Sequence, residues 1–135
     1  MSEKAGGVMS GKVVHFELPA DDLARAESFY GKVFGWTMRS VPGMDYTLVT
    51  TTPTNEEGVP TEPGAINGGM VRRQPPVQAP VVVIHVGDMD ATLRTVEAHG
   101  GQVVRSKFQV GEVGFAAYFK DPEGNTIGLW QEGGN

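Results

Sequence analysis

The chain has 135 residues, no cysteine and a formal net charge of −5. This length fits one domain of ordinary size, and the missing cysteines exclude a disulfide framework, a zinc knuckle and a thiol nucleophile. The negative charge argues against nucleic acid as a partner, and without an apolar run of about 18 residues the sequence predicts no membrane span.

Met1–Ser10 has neither the charged start nor the long apolar run of a signal peptide. We expect residues 1–11 to form a flexible N-terminus, and the absence of cysteine favours a cytoplasmic protein. Beyond them the sequence contains an internal repeat. The residues from about Lys12 to Arg39 resemble those from about Gln78 to Arg105, at an offset of 66 positions. Such a twofold repeat predicts two similar modules.

In the first module the sequence predicts a strand over Val13–Leu18 that stops at Pro19, followed by a helix. The helix begins at Asp21 or Asp22 and ends at Gly35, since these residue types cap helices. Its inward stripe, at the helical period, is expected to consist of Leu23, Ala26, Tyr30 and Val33. Three strands then follow, at 36–40, 44–51 and 65–72.

Two segments interrupt the pattern of strands and helices. Pro53–Gly64 is polar and proline-containing, so we expect a mobile loop that either serves as a plain connection or covers one end of the binding site as a lid. Residues 73–79, with Pro75-Pro76, are expected to form an extended linker between the modules. Gly68-Gly69, inside a predicted strand, indicates a bulge or a close approach to the backbone.

The second module repeats the order of elements. A strand over Pro80–Val86 precedes a helix that Asp88 caps, with Met89, Leu93 and Val96 inward. Strands follow at 102–109, 113–119 and 125–131, and the last two are joined by a type I turn at 121–124.

The sequence therefore predicts an α+β fold with two βαβββ modules in one chain. We expect a curved mixed sheet that lines a cleft, with the helices on the outer face. The single domain is predicted to span 12–132, with module one at 12–72, the linker at 73–79 and module two at 80–132.

Two phrases carry a resemblance to a known family. VVHFELPADDLARAESFYGKVFGW (Val13–Trp36) and YFKDPEGNTIGLWQ (Tyr118–Gln131) resemble the vicinal oxygen chelate superfamily, which includes glyoxalase I, bleomycin-resistance proteins and extradiol dioxygenases. The resemblance implies the fold more strongly than the chemistry, because this fold serves lyases, oxygenases, epimerases and drug binders.

In metal-dependent members, the resemblance implies four ligands, one from the first and one from the last strand of each module. His15 matches the first ligand position. Val81 and Gly128 occupy two of the other positions, and neither residue has a side-chain atom that could coordinate a metal. The remaining position falls near Asn67-Gly68-Gly69-Met70. We therefore expect no metal and no other cofactor, with Val81 and Gly128 opening volume for a ligand instead.

The three histidines have different expected roles. His85 lies roughly 13 Å along the strand from Val81, too far to replace a ligand there, so a rim or capping role is favoured. His99 suits the end of a helix. His15 either acts on a ligand or is a hydrogen-bonded histidine in the cleft wall.

Strand alternation predicts which side chains line the cleft. If His15 faces inward, Glu17 does too, about 6.6 Å away, so the two could hold one ligand or share a hydrogen-bond network. Gly128 brings Thr126 and Trp130 inward, while Ile127 and Leu129 belong to the core. With Trp130 and Tyr46 as an aromatic wall, this pocket suits a planar or cationic molecule; the alternative is that both rings are core aromatics.

The sequence predicts a metal-free protein that binds a small organic ligand, with sequestration of a drug or metabolite as one purpose. The alternative is a metal-dependent glyoxalase-like lyase or dioxygenase whose site includes His15 and Glu17. We expect a homodimer that contacts neither nucleic acid nor membranes. The candidate ligand-binding residues are His15, Glu17, Tyr46, Asn67, Met70, Val81, His85, Gly128 and Trp130.

Overall fold

The computed structural model describes residues 10–133 and confirms the α+β fold with two βαβββ modules. In chain order the elements are β1 (Val13–Ala20), α1 (Leu23–Phe34), β2 (Thr37–Ser40), β3 (Tyr46–Thr50), β4 (Asn67–Arg72), β5 (Val81–His85), α2 (Met89–Ala98), β6 (Gln102–Val110), β7 (Gly114–Lys120) and β8 (Thr126–Glu132). The described residues form two compact units. The first unit is residues 15–80, and the second unit is residues 10–14 with 81–133.

Each unit has the same strand arrangement. In the first unit the strands lie in the order β2-β3-β4-β1, and only β1 and β4 run parallel. In the second unit the order is β6-β7-β8-β5, and only β5 and β8 run parallel. The first strand of each module therefore pairs with the last strand of the same module.

The helix starts confirm the repeat. The side chain of Asp22 accepts a hydrogen bond from the Arg25 amide, and that of Asp88 accepts one from the Ala91 amide, both at 3.0 Å. These contacts satisfy amides that the helix itself leaves unpaired. The helix ends differ, because Gly35 takes the left-handed conformation in the first unit, whereas His99 is the C-cap of α2.

The helices also differ in how deeply they pack. In α2, Met89 is fully buried and joins Val86, Ala117 and Leu129 in a core cluster on one face of the sheet. In α1 no residue is fully buried, and packing depends on aromatic rings, with Tyr30 stacked on Trp36 at 4.8 Å between ring centroids.

The expected position of Val33 on the inward stripe of α1 is wrong, because Val33 is 56% exposed. The partly buried positions of α1 end with Tyr30 and Gly31, and Trp36 covers Tyr30 from the following segment. The last turn of the helix thus points its apolar side chains outward. Phe34 is exposed for the same reason.

The predicted stop of the first strand at Pro19 is also wrong. β1 continues to Ala20, with Pro19 paired to Val71 of β4. A proline interrupts a strand only where its missing N–H would have had a partner.

The segments outside the modules are held by specific contacts. Linker residues 73–79 belong to the first unit, where the Arg73 guanidinium contacts Asp21 at 2.9 Å and the Gln78 carbonyl at 2.8 Å. The predicted flexible N-terminus falls outside the described residues except for 10 and 11. Of these, Gly11 donates a backbone hydrogen bond to His85. The single domain over 12–132 stays a prediction.

The loop at 53–64 is closed by a bridge between Thr54 and Pro60, and the Asn55 side chain accepts from the amides of Glu57 and Val59. Its proposed role as a lid stays a prediction. Neither described helix, at 12 and 10 residues, is long and apolar enough to cross a membrane.

Candidate functional site

A hydrogen-bonded chain of three side chains occupies one face of the sheet in the first unit. His15 Nε2 lies 2.8 Å from Tyr46 Oη, and Tyr46 Oη donates to Glu17 Oε2 at 3.3 Å. Glu17 is only 7% exposed, so its carboxylate is a buried acceptor. His15 and Glu17 thus share a network, as strand alternation predicts, and Tyr46 is its central member. We call these three residues the His15 site.

The sheet register brings the three residues together. His15 and Glu17 are two apart on β1 and therefore point to the same face. On β4 their partners are Asn67 and Gly69. The face opposite packs against α1, where Thr47 on β3 donates to Glu27 of the helix at 2.6 Å.

Two glycines of β4 make room for aromatic rings, one on each face. A side chain at Gly69 would collide with the hydroxyl end of Tyr46, and one at Gly68 would collide with the ring of Phe16. The close backbone approach expected at Gly68-Gly69 is therefore confirmed. Without a glycine at 69, Tyr46 could not reach over β4 to both His15 and Glu17.

Burial keeps the imidazole of His15 uncharged. Desolvation lowers the pKa of His15 from 6.5 to about 4, because a charged ring loses more hydration than a neutral one. Since the Tyr46 hydroxyl donates its hydrogen bond to Glu17, its oxygen accepts from His15 Nε2–H. The structure shows no hydrogen-bond partner for His15 Nδ1 within residues 10–133. This nitrogen is a hydrogen-bond acceptor.

Two other candidates of the first unit have different surroundings. Both ends of the Asn67 amide are hydrogen-bonded, since its oxygen accepts from the Thr51 amide at 2.8 Å and its nitrogen donates to Thr54 Oγ1 at 2.9 Å. Asn67 therefore fixes the base of the 53–64 loop. Met70 is fully buried and pairs with Leu18 and Thr47, on the face opposite to Gly69.

The second unit has apolar residues at the corresponding positions. Val81 and Val83 are buried, and Gly128 pairs with Val83. Leu129 lies in the core cluster, as alternation predicts, so Trp130 and Gly128 face the other side of β8. The ring of Trp130 lies over Gly114, where a side chain would approach ring atoms to 2.7 Å.

The ring of His85 forms hydrogen bonds to two residues that are distant from it in the sequence of the second unit, Ser10 and Glu132. Its Nδ1 lies 2.6 Å from Ser10 Oγ, and its Nε2 lies 3.0 Å from Glu132 Oε1. The Ser10 hydroxyl is also within 3.0 Å of the His85 carbonyl. These contacts agree with a capping role near the end of β5.

The four ligand positions implied by the resemblance do not fit a metal ion. Glu17 lies 66 positions before Val83, and Glu17 pairs with Gly69 as Val83 pairs with Gly128, so Gly69 is the counterpart of Gly128. The set is then His15, Gly69, Val81 and Gly128, with one donor side chain. No three His, Asp or Glu side chains in the described part of the chain are grouped to hold a metal.

Sequence reasoning missed a group of side chains in the second unit. Arg105, Phe108 and Tyr118 lie on the same face as Gly128, because Arg105 pairs with Tyr118 and Tyr118 with Gly128. The Arg105 guanidinium lies 3.5 Å from the centroid of the Phe108 ring. The signal in the sequence was an interruption of strand alternation at 103–108, which indicates a bulge.

Comparisons with known proteins agree with this fold. A family model described as bleomycin resistance protein-like N-terminal matches residues 12–52. CFP32 of Mycobacterium tuberculosis, named as a glyoxylase, is 34% identical over 123 residues, which cover 85% of this chain and 43% of CFP32. A glyoxylase-like domain-containing protein of Didymella fabae is 31% identical over 124 residues, covering 88% of this chain and 92% of that protein. The chain thus spans less than half the length of CFP32.

Among solved structures, methylmalonyl-CoA epimerase from Mycobacterium tuberculosis aligns with a TM-score of 0.61 and 17% identity, covering 95% of this chain and 91% of the epimerase. At this identity the likeness concerns the fold alone. The sequence relatives, by contrast, are close enough to establish a family.

Proposed function

The chain belongs to the vicinal oxygen chelate superfamily, and from this premise we propose that it binds a small organic molecule at the His15 site without a metal ion. The observation that carries the proposal is the hydrogen-bonded chain from His15 through Tyr46 to Glu17. In this chain the imidazole that would bind a metal is instead engaged by a tyrosine.

Local chemistry supports binding without a metal. An imidazole with a pKa of about 4 is neutral near pH 7, and its Nε2 is directed at the Tyr46 hydroxyl. The Nδ1 atom keeps its lone pair for an incoming donor, so the site favours a molecule with an O–H or N–H group. The adjoining ring of Tyr46 adds a flat apolar surface for an aromatic molecule.

The purpose we propose is sequestration of a drug or metabolite. The match to a bleomycin resistance protein-like model supports this direction without naming the ligand. We further propose that the protein works as a homodimer in the cytoplasm, with a small molecule rather than nucleic acid or a membrane as its partner. The net charge of −5 supports the exclusion of nucleic acid.

A second candidate function is a glyoxalase-like lyase. The names of two relatives favour it. It would need metal ligands beyond His15 at the positions that Val81, Gly69 and Gly128 occupy. Metal analysis therefore separates the two candidates.

The test uses 2-naphthol, which has a hydroxyl donor, and 2-methoxynaphthalene, which lacks one, with protein whose metal content has been measured. We expect 2-naphthol to bind about tenfold more tightly, the value of one good hydrogen bond in a desolvated site, and EDTA to leave its binding unchanged. His15→Ala should remove the preference for the hydroxyl.

The matched control is His99→Ala, since His99 is exposed and its ring is hydrogen-bonded to the Thr95 carbonyl of α2, outside the His15 site. This variant should bind both probes as the unmodified protein does. A stoichiometric divalent ion in the purified protein, or loss of binding in EDTA, would contradict the proposal and favour the lyase.

A further inference from the structure

We propose that the second unit carries a recognition site for planar organic anions, formed by the guanidinium of Arg105 and the rings of Phe108 and Tyr118. The inference goes beyond the proposed function, because it concerns other residues and assigns a charge to the ligand. It depends only on contacts within residues 102–130.

Two irregularities in the pairing of β6 with β7 bring Arg105 and Phe108 to one face. The register shifts between Val103 and Arg105 and again between Arg105 and Phe108. In a regular strand, residues three apart point to opposite faces, so Phe108 would lie away from Arg105. Bulges of this kind re-aim side chains and are frequent beside functional sites.

The three side chains form a continuous stack. The Arg105 guanidinium carbon lies 3.5 Å from the Phe108 ring centroid, and the Phe108 and Tyr118 rings are 6.2 Å apart with 21° between their planes. Tyr118 is 7% exposed and contacts the position of Gly128, so it is the fixed base of the stack. Phe108 is half-buried and Arg105 is exposed, so the stack opens outward.

The charge of Arg105 is not neutralised by any ion pair within residues 10–133. Lys107, two residues along the same strand, pairs with Asp90 of α2 at 3.0 Å and lies over Phe115. The two cations of β6 therefore differ. Lys107 pairs with the helix, whereas the charge of Arg105 can pair with an anionic ligand.

An arginine stacked flat on a ring keeps the N–H groups at its edge free, and these match the two oxygens of a carboxylate or sulfonate. The side of the guanidinium turned away from Phe108 is a flat surface on which a planar aromatic molecule can stack. A cation is disfavoured here because the guanidinium already occupies the aromatic face. The expected charge of this ligand is opposite to that of the cationic ligand that the carboxylate of Glu17 suggests in the first unit.

The experiment compares 2-naphthoate with 2-naphthamide, which share a ring system and differ in charge. Binding to the full chain is measured by calorimetry, and backbone amide NMR shifts report where each probe binds. We expect 2-naphthoate to bind about tenfold more tightly than 2-naphthamide, because a charge-assisted hydrogen bond is the main difference between the probes. Its largest amide shifts should lie on β6 and β7, where the proposed site is.

Arg105→Ala should reduce the naphthoate preference to near unity. Lys107→Ala removes the same charge from the same strand on the opposite face and should preserve the preference. Equal binding of the two probes, no naphthoate binding at millimolar concentration, or an equal loss in both variants would overturn the proposal.

Failure here is distinguishable from failure of the proposed function. The proposed function depends on the hydroxyl preference of the naphthol pair, on His15 and on EDTA. The anion site depends on the charge preference of the naphthoate pair and on Arg105. Thermal unfolding of both β6 variants checks that they remain folded.

Discussion

The two units share a backbone plan and differ on one sheet face. In the first unit this face carries the polar pair His15 and Glu17, whereas 66 positions later the second unit has Val81 and Val83. The first unit uses a tyrosine to join polar groups, and the second uses rings and an arginine. The same strand arrangement thus supports two kinds of surface. In each unit the sheet face that packs against the helix stabilises the fold, so the residues of the opposite face can differ between the units.

The helices sharpen the comparison and give the largest expected effect. Met89 of α2 is fully buried, so Met89→Ala should lower the free energy of unfolding by about 2–5 kcal/mol. Val33→Ala, on the exposed end of α1, should change it by less than about 0.5 kcal/mol. Urea denaturation of both variants measures the difference, and equal losses would mean that the two helices pack alike.

The second prediction concerns the pH dependence that the His15 site adds to the first unit. The folded pKa of about 4 lies below 6.5, so between these values the unfolded chain binds more protons at His15 than the folded chain does. Stability should therefore fall as the pH is lowered through this window, by at most about 3 kcal/mol.

His15→Gln should flatten this dependence, because glutamine does not titrate. The comparison is a series of urea denaturation curves between pH 7 and pH 4 for both proteins. Parallel losses of stability in the two proteins would show that His15 is not the group responsible.

The third prediction compares the two glycines that correspond between the units. Gly69→Ala places a methyl group against the Tyr46 hydroxyl and should cost about 1–3 kcal/mol, because the ring must move away from His15 and Glu17. At Gly128 the nearest atom is a Val83 methyl at 3.1 Å, so Gly128→Ala should cost less. Thermal unfolding gives the order, and a larger loss at 128 would reverse the comparison.

Much of the fold could be predicted from local signals. Asp22 and Asp88 mark helix starts because short acidic side chains cap helices, and alternation on β8 separated Leu129 from Trp130. His15 and Glu17 were placed on one face by the same period of two. Pro19 and Val33 were misplaced because their surroundings depend on which neighbours cover them.

The rest of the candidate site depends on pairing between distant segments. Tyr46 joins the His15 site only because β3 lies beside β4 and β4 beside β1, with Gly69 leaving space for the ring. Arg105 and Phe108 share a face only because of two register shifts. Neither the pairing nor the shifts follow from the residues immediately before and after these positions.

The central claim, that His15 is a neutral hydrogen-bonding group engaged by Tyr46 rather than a metal ligand, is tested most directly by NMR. The 15N shifts of the His15 ring are followed from pH 8 to the acid limit of folding, with and without Ni²⁺. We predict a ring protonated at Nε2 alone that titrates near pH 4 and does not respond to the metal. A pKa near 6.5, or loss of the His15 signals at one equivalent of Ni²⁺, would contradict the account.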